Sequence, residues 1–187
     1  GRSARFAVLD VVRPEARGVI AALRALGAHR CAVLSGDRED AVAAAASAAG
    51  IEEWKADLLP QQKLEWVRQV QQTGQAVAYV ADGVNDLPAL GAADVAISMF
   101  GGSPAAQKQA DFLLLDGGLG ALPKAWALAR RACSILHQNV FWAVGYNVIA
   151  IPVAAAGLLT PWLAAAGMAL SSAIVVGNAL RLRRRDA

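Results

Sequence analysis

Short apolar runs alternate with amphipathic stretches through the first 121 residues of the chain. The apolar runs predict β-strands over residues 6–9, 31–34, 76–81, 95–98 and 112–115. Apolar residues that recur at three- and four-residue spacing predict helices over residues 14–26, 39–49 and 60–73, with a short helix after Pro104. Strands that alternate with helices are typical of a doubly wound α/β domain with a parallel sheet.

The pattern changes after residue 121. Helical character resumes near Leu122, and residues 132–180 contain no Asp, Glu, Lys or Arg. Residues 157–161 (GLLTP) divide this uncharged region into two predicted spans, 139–156 and 162–180. Each span approaches the ~20 residues that an apolar helix needs to cross a bilayer. We therefore predict an α/β domain over residues 1–121, and an amphipathic lead-in with a transmembrane hairpin and a basic tail over residues 122–187.

Charge supports the same division. Hydrophobic residues make up 56% of the chain and charged residues 18%, and the net charge is +3. Basic residues precede the first predicted span, and an arginine cluster (residues 181, 183, 184 and 185) follows the second. Because this cluster directly follows an apolar run, we interpret it as a membrane flank and expect a lipid partner and no nucleic acid. The positive-inside rule then predicts that both ends of the hairpin are cytosolic.

Cysteine usage and the start of the chain add two expectations. Cys31 and Cys133 are the only cysteines and form no CxxC pair, so the sequence indicates neither a disulfide framework nor a zinc site. Residue 1 is glycine, and no signal-peptide pattern opens the chain, which indicates a fragment or a processed piece.

Two carboxylates follow the apolar strand over residues 76–81. Asp82 ends the strand, Gly83 follows, and Asp86 lies four residues on. Open α/β sheets bind ligands at the carboxyl ends of their strands, and Mg²⁺ prefers one or two carboxylates with phosphate oxygens and water. Asp86 is equally consistent with an N-cap for the helix that begins near Leu87. Asn85 fits a cap, a turn or a phosphate contact.

Two further segments fit phosphate chemistry. Ser35-Gly36-Asp37 places a hydroxyl, a glycine and a carboxylate between a strand and a helix, which fits either an anion site or a capping segment. Lys63 lies in the first turn of the helix that Pro60 opens, where a cation opposes the helix dipole. A lysine that reaches for phosphate and a solvated lysine both fit this position.

Polar residues interrupt the two predicted membrane spans. Met168, Ser171 and Ser172 stand at i, i+3 and i+4, so they share one helix face. A thioether suits a soft ion such as Cu(I), whereas small and hydroxyl side chains also serve helix packing, which the spacing alone favours. Tyr146 and Asn147 are further polar positions within the first span.

Taken together, the segments before residue 121 resemble the P-type ATPases, members of the haloacid-dehalogenase-like phosphotransferases. Residues 82–90 (DGVNDLPAL) are similar to their GDGxNDxPAL signature, and residues 35–37 to their TGD motif. Residues 60–63 (PQQK) are similar to the segment that supplies their conserved lysine. Residues 10–14 (DVVRP) are similar to the stretch by which their chain re-enters the phosphorylation domain.

The membrane region resembles the copper-transporting class of the same family. The Tyr146-Asn147 pair, followed by Met168-x-x-Ser171-Ser172, is similar to the last two membrane helices of that class. The resemblance therefore covers essentially the whole chain. It implies a haloacid-dehalogenase-like, Rossmann-like parallel-sheet domain followed by a two-helix transmembrane hairpin.

The resemblance also implies roles. Asp82 would ligate Mg²⁺, with Asn85 and Asp86 in support. Ser35 and Gly36 would hold the transferred phosphoryl group, Lys63 would neutralise its charge, and Asp37 would face the nucleotide or the hinge to the nucleotide domain. In the membrane, the residues implied for the Cu(I) path are Tyr146, Asn147, Met168 and Ser171. The implied cofactors are Mg²⁺ and ATP, and Cu(I) is the transported ion.

The sequence departs from the family pattern in three places. Ala81 stands where the family usually has glycine, and Ser35 replaces a threonine while keeping its hydroxyl. No DKTGT segment occurs, so the nucleophilic aspartate is missing, and we reject Asp10 because no Thr or Lys follows it appropriately. We therefore expect this chain alone to be inactive and unable to form an aspartyl-phosphate.

The resemblance implies that the chain is part of a pump that exports Cu(I) from the cytosol, in a bacterial inner membrane. Its expected partners are the missing nucleotide, actuator and metal-binding domains and a copper chaperone. The alternatives are a zinc- or cadmium-type pump, a membrane-anchored phosphotransferase and a regulatory fragment. A zinc-type pump is expected to place a carboxylate in the last helix, and residues 162–180 contain none.

Overall fold

A computed structural model describes residues 12–116 and 118–185, so the predicted strand over residues 6–9 and Asp10 lie outside the described residues. The chain divides into two compact units, Gly1–Lys124 and Ala125–Ala187. In chain order the elements of the first unit are α1 (Ala16–Ala25), β1 (Ala32–Leu34), α2 (Glu39–Ala49), β2 (Glu53–Lys55), α3 (Pro60–Gln72), β3 (Ala78–Ala81), a 3₁₀ turn (Val84–Asp86), α4 (Leu87–Ala92), β4 (Val95–Met99), α5 (Pro104–Gln109) and β5 (Phe112–Leu114).

The described strands of the first unit are all parallel, as predicted, and they form two sheets. β1 pairs with β2, with Val33 opposite Trp54. β3, β4 and β5 form the second sheet in that order. No hydrogen-bonded ladder joins the two sheets within the described residues, and the predicted strand over residues 6–9 lies outside them. The sequence missed β2, whose three residues carry a charge at each end and give no apolar run.

One apolar core lies between β3 and the helices α3 and α4. Tyr79 and Ala81 point into it from β3, whereas Ala78 and Val80 are exposed, which is the alternation of a half-covered strand. Val67 of α3 and Leu90 of α4 are fully buried in the same cluster. Leu34 of β1 packs against this cluster, so both sheets contribute to one core.

The second unit is helical. It contains most of α6 (Ala121–Ala155), then α7 (Pro161–Ala179) and a 3₁₀ turn (Leu180–Arg185). An amide cluster joins the two helices: Asn178 Nδ2 donates to Asn139 Oδ1 at 2.9 Å and to Gln138 Oε1 at 3.2 Å. Next to it, Arg181 Nη1 donates to Asn178 Oδ1 at 2.9 Å.

One described helical segment, Pro161–Arg183, is long and apolar enough to cross a membrane, with a mean hydropathy of 1.7. It contains the second predicted span. The first predicted span, 139–156, lies within the longer α6, which is not apolar enough by the same measure, so the described residues contain one such helix where a two-helix transmembrane hairpin was predicted.

Candidate functional site

An ion pair between Lys63 and Asp86 forms the centre of the candidate site. Lys63 Nζ lies 2.7 Å from Asp86 Oδ1, and the two side chains are 8% and 18% exposed. The hydroxyl of Tyr79 donates to the same oxygen at 3.0 Å. Residues from α3, from β3 and from the turn after β3 therefore meet at one carboxylate oxygen.

The sequence of α3 explains the position of Lys63. Pro60 begins the helix, and the Gln62 side chain accepts a hydrogen bond from the Leu59 N–H at 2.7 Å, which satisfies a free amide at the helix start. Lys63 lies on the same face as Val67 and Val70, one and two turns on, so the core-facing stripe carries its side chain inward. The interpretation of Lys63 as a solvated lysine is therefore wrong.

Asp86 does not cap a helix. It directly precedes α4, but its side chain makes no capping hydrogen bond, and Oδ1 accepts from Lys63 and Tyr79 instead. A partly buried ammonium is a stronger partner for a carboxylate than a backbone amide. The N-cap interpretation of Asp86 is therefore wrong.

Asp82 lies just after β3, and its side chain is exposed. Its backbone contacts the loop before α5. Ser103 N–H donates to the Asp82 carbonyl at 2.7 Å. A Cβ atom on Gly102 would lie 2.7 Å from that carbonyl oxygen and 3.0 Å from Asp82 Cα. Only glycine at position 102 allows this close approach.

The Ser35-Gly36-Asp37 loop is also fixed by neighbours. Ser35 Oγ donates to Asp37 Oδ2 at 2.7 Å, and the Asp37 N–H donates to Ser35 Oγ at 3.2 Å. Arg38, not Asp37, precedes α2, and no side-chain capping bond is present there, so the capping interpretation of this loop is wrong. The hydroxyl and carboxylate are instead held close to each other.

Backbone contacts connect this loop to the start of α3. Leu58 N–H donates to the Ser35 carbonyl at 3.0 Å, and Asp57 N–H donates to the Asp37 carbonyl at 2.9 Å. Asp57 adopts a left-handed backbone conformation with φ of 52°, which turns the chain toward Pro60. The residues that hold the Ser35 loop therefore lead directly into the helix that carries Lys63.

These residues fit a magnesium and phosphate site by their chemistry. Asp82 and Asp86 supply two carboxylates on one turn, which is the number Mg²⁺ usually takes from protein. Gly83 between them has no side chain to block an approaching oxygen, and Asn85 is exposed in the same turn. Within the described parts of the chain, no cluster of three or more His, Cys, Asp or Glu side chains is available to hold a metal ion.

The polar residues of the second unit are only partly brought together. Tyr146 of α6 packs against Gly167 of α7, where a Cβ atom would lie 2.6 Å from the Tyr146 hydroxyl. Ser171 is half-buried, whereas Asn147 and Met168 are exposed. The side chains predicted for a Cu(I) path therefore do not form one closed cluster in this unit.

Sequence reasoning missed three residues that support the site, namely Tyr79, Gly102 and Ser103. Tyr79 reads as one more apolar position in a strand, and only its alternation with Val80 indicates that it faces inward. In the adjacent pair Gly101-Gly102, only Gly101 has a positive φ (89°). The requirement for Gly102 comes from contact with Asp82, which no local pattern shows.

Burial, together with the negative charge of Asp86, raises the pKa of Tyr79 well above its ordinary value. The folded state therefore keeps the Tyr79 proton at pH values where the unfolded chain, with a tyrosine pKa of about 10, releases it. The stability that this provides is present below about pH 10 and is lost as the pH rises further, by up to about 1.4 kcal/mol per pH unit.

Replacing Tyr79 by phenylalanine should remove this dependence. Urea unfolding between pH 9 and 11.5 should show a shallower loss of stability for Tyr79→Phe than for the wild-type chain, by about 1 kcal/mol per pH unit. The Tyr146→Phe variant serves as the control for the other tyrosine. Parallel stability curves for wild type and Tyr79→Phe would contradict the prediction.

The chain is similar to known proteins over most of its length. Residues 2–94 match the sequence family described as "Hydrolase: haloacid dehalogenase-like hydrolase". The chain is 44% identical over 179 residues to the "Copper-exporting P-type ATPase" of Staphylococcus aureus strain JH9, an alignment that covers 96% of this chain and 22% of the relative. The same values hold for strain Newman. The chain thus spans about a fifth of the length of the curated relatives it matches (22%).

The chain is also similar to solved structures of ATPases. A zinc-transporting PIB-type ATPase in its E2.Pi state superposes with a TM-score of 0.87 at 36% identity, and covers 94% of this chain and 28% of that one. A structure of the catalytic domain of the CPx-ATPase CopB-B, from work on nucleotide binding, superposes with a TM-score of 0.57 at 29% identity. The superposition covers 59% of this chain and 44% of that one.

Proposed function

Since this chain belongs to the P-type ATPase family and corresponds to a C-terminal portion of such a pump, we propose that it serves an ATP-driven exporter of Cu(I). Residues 1–121 would form most of the phosphorylation domain. Residues 122–187 would form the last membrane hairpin, from α6 and α7, with both ends cytosolic. The observation that carries the proposal is the buried Lys63–Asp86 pair, one turn from Asp82 and linked through α3 to the Ser35 loop.

Each part of this arrangement suits phosphoryl transfer, which needs mainly positioning and charge compensation. Ser35 and Gly36 would bind the phosphoryl oxygens through the hydroxyl and backbone, and Asp37 would orient the Ser35 hydroxyl through their 2.7 Å hydrogen bond. Lys63 would offset the negative charge of the phosphoryl group, using the N–H donors of its ammonium that are not bonded to Asp86. Asn85 would help to hold the phosphoryl oxygens or the turn.

Asp82 and Asp86 would hold Mg²⁺, with Asp82 fixed through its backbone by Ser103 and Gly102. When bound, Mg²⁺ supplies positive charge that stabilises the transferring phosphoryl group. The nucleophilic aspartate and the nucleotide site would come from other parts of the pump, because the sequence contains no DKTGT segment.

For the transported ion, we propose Cu(I), with Tyr146, Asn147, Met168 and Ser171 along its path. The thioether of Met168 is a soft ligand, which favours Cu(I) over hard divalent ions. The structural likeness to a zinc-transporting pump supports zinc as the second candidate. The sequence of α7 contains no carboxylate that would suit a hard or borderline divalent ion, and this favours copper.

A chimaera tests the proposal. The chain replaces the matching segment of the Staphylococcus aureus copper-exporting P-type ATPase in a strain that lacks its own pump. Growth in copper, but not in zinc, is expected to be restored. Met168→Leu should lower copper resistance, whereas Met99→Leu, at the other methionine, should not. Zinc resistance without copper resistance would favour the second candidate.

Acid-stable phosphorylation tests the division of the active site. The chain alone, incubated with γ-labelled ATP and Mg²⁺, should show no acid-stable label on a gel, because the nucleophile is missing. The chimaera should be labelled, and Asp82→Asn in the chimaera should lower the label at least tenfold, as expected when a group that stabilises charge in the transition state is lost. A labelled band from the chain alone would contradict the assignment.

A further inference from the structure

The two oxygens of the Asp86 carboxylate have different surroundings. Oδ1 accepts hydrogen bonds from Lys63 Nζ at 2.7 Å and from the Tyr79 hydroxyl at 3.0 Å. Oδ2 faces Gly83 and lies 3.8 Å from the position that a Cβ atom would occupy there. The protein therefore supplies two donors to one oxygen and turns the other toward the loop that carries Asp82.

The Tyr79 hydroxyl is placed by a strand in the core. Tyr79 is 9% exposed and belongs to the same cluster as Val67 and Leu90. A phenylalanine ring would fill nearly the same space, so packing does not require the hydroxyl. A buried hydroxyl does require a hydrogen-bond partner, and Asp86 provides it.

The two donors to Oδ1 differ in freedom and in charge. Lys63 carries its ammonium on a flexible four-carbon chain in the first turn of α3, and its proposed task is to offset phosphoryl charge. A turn of Lys63 toward a phosphoryl group would weaken its contact with Asp86, and a largely buried carboxylate without a partner is costly. Tyr79 lies on a strand, stays in place and is neutral, so it leaves the Asp86 charge available to a cation.

We propose that Tyr79 is a positioning residue of the phosphoryl site: its hydroxyl holds Oδ1 of Asp86, keeps Oδ2 directed at the bound Mg²⁺, and remains the partner of Asp86 when Lys63 turns to phosphate. This inference rests on the proposed function, since it requires Mg²⁺ at Asp82 and Asp86. In this role Tyr79 acts through Asp86 and contacts neither phosphate nor metal.

The test measures Mg²⁺ affinity of the detergent-solubilised 187-residue chain from the rise of its unfolding midpoint with Mg²⁺ concentration. Tyr79→Phe is introduced into the wild-type chain and into Lys63→Met. In the wild-type background we expect the affinity to fall by about fivefold, which corresponds to the net value of one typical hydrogen bond. In the Lys63→Met background Asp86 has no donor left on Oδ1, and the loss should be larger by about fivefold or more.

Controls separate this role from simple packing. A purely structural Tyr79 would lower the midpoint without Mg²⁺ and leave the Mg²⁺-dependent rise unchanged in both backgrounds, which would overturn the inference. Tyr146→Phe should leave the Mg²⁺ affinity unaltered. Tyr79→Met, which also lacks the hydroxyl, repeats the measurement if the phenylalanine variant folds poorly.

One further variant distinguishes this inference from the proposed function. If Asp82→Asn abolishes the Mg²⁺-dependent rise while Tyr79→Phe has no effect, the metal site stands and only the role of Tyr79 is overturned. If Asp82→Asn leaves the rise unchanged, Mg²⁺ does not bind where the proposed function requires it, and both are overturned.

Discussion

Replacing Lys63 by methionine should lower the free energy of unfolding of the first unit by about 3 kcal/mol. Removing one partner of a buried ion pair usually costs 3–5 kcal/mol, because the remaining charge is left unpaired in a poorly solvated place. Asp86 keeps its Tyr79 hydrogen bond and is 18% exposed, so we expect the lower end of that range. Urea unfolding followed by tryptophan fluorescence measures the change.

Two further variants test whether the lost stability of Lys63→Met comes from the unpaired charge of Asp86. Lys108→Met removes an exposed lysine in the last turn of α5 and should change stability by less than about 0.5 kcal/mol. Adding Asp86→Leu to Lys63→Met removes the unpaired charge and should recover much of the stability, since apolar replacement of a buried pair is often neutral. A loss of under about 1 kcal/mol in Lys63→Met would show that the pair is solvated in solution.

Gly102→Ala should destabilise the first unit by about 1–3 kcal/mol, the usual cost of forcing an extra group into a packed site. The added methyl would meet the Asp82 carbonyl oxygen at 2.7 Å and the Met99 carbonyl oxygen at 3.0 Å. Both atoms belong to the backbone, so neither can rotate away. The same displacement should move Asp82 and weaken the stabilisation of the chain by Mg²⁺.

Gly18→Ala is the matched control for this substitution. Gly18 lies within α1, and a Cβ atom there would meet nothing within 4 Å. An alanine in an unhindered helical position should stabilise by about 0.5–1 kcal/mol, so the two glycine variants should change stability in opposite directions. Equal unfolding midpoints for Gly102→Ala and wild type would contradict the prediction, because they would mean that the loop before α5 can shift away from Asp82 at no cost in stability.

The sequence predicted the helices of the first unit well because their ends carry local signals. The predicted helix over residues 39–49 matches α2, whose end is fixed by Gly50 with φ of 71°. Pro60 likewise marks the start of α3. β2 gave no such signal, because its three residues form a strand only by pairing with β1. That pairing could not be read from periodicity.

The residues of the candidate site were predictable as a set, but their partners were not. Asp86 looked like a cap because it directly precedes a helix, and only the fold shows that Lys63, 23 positions away in sequence, binds it instead. The role of Tyr79 was hidden for a similar reason: its apolar ring and strand position explain its presence without its hydroxyl. Local patterns identify which groups are available, whereas tertiary contacts decide which of them meet.

The amide cluster of the second unit has a mechanical consequence. The short connection between Ala155 and Pro161 joins α6 and α7 at one end of the pair. Near the other end, Asn178 is clamped to Asn139 and Gln138. α7 is therefore held against residues 138–155 of α6 near both of its ends, which opposes separation of the two helices there. We expect a displacement of this part of α6 to move α7 with it.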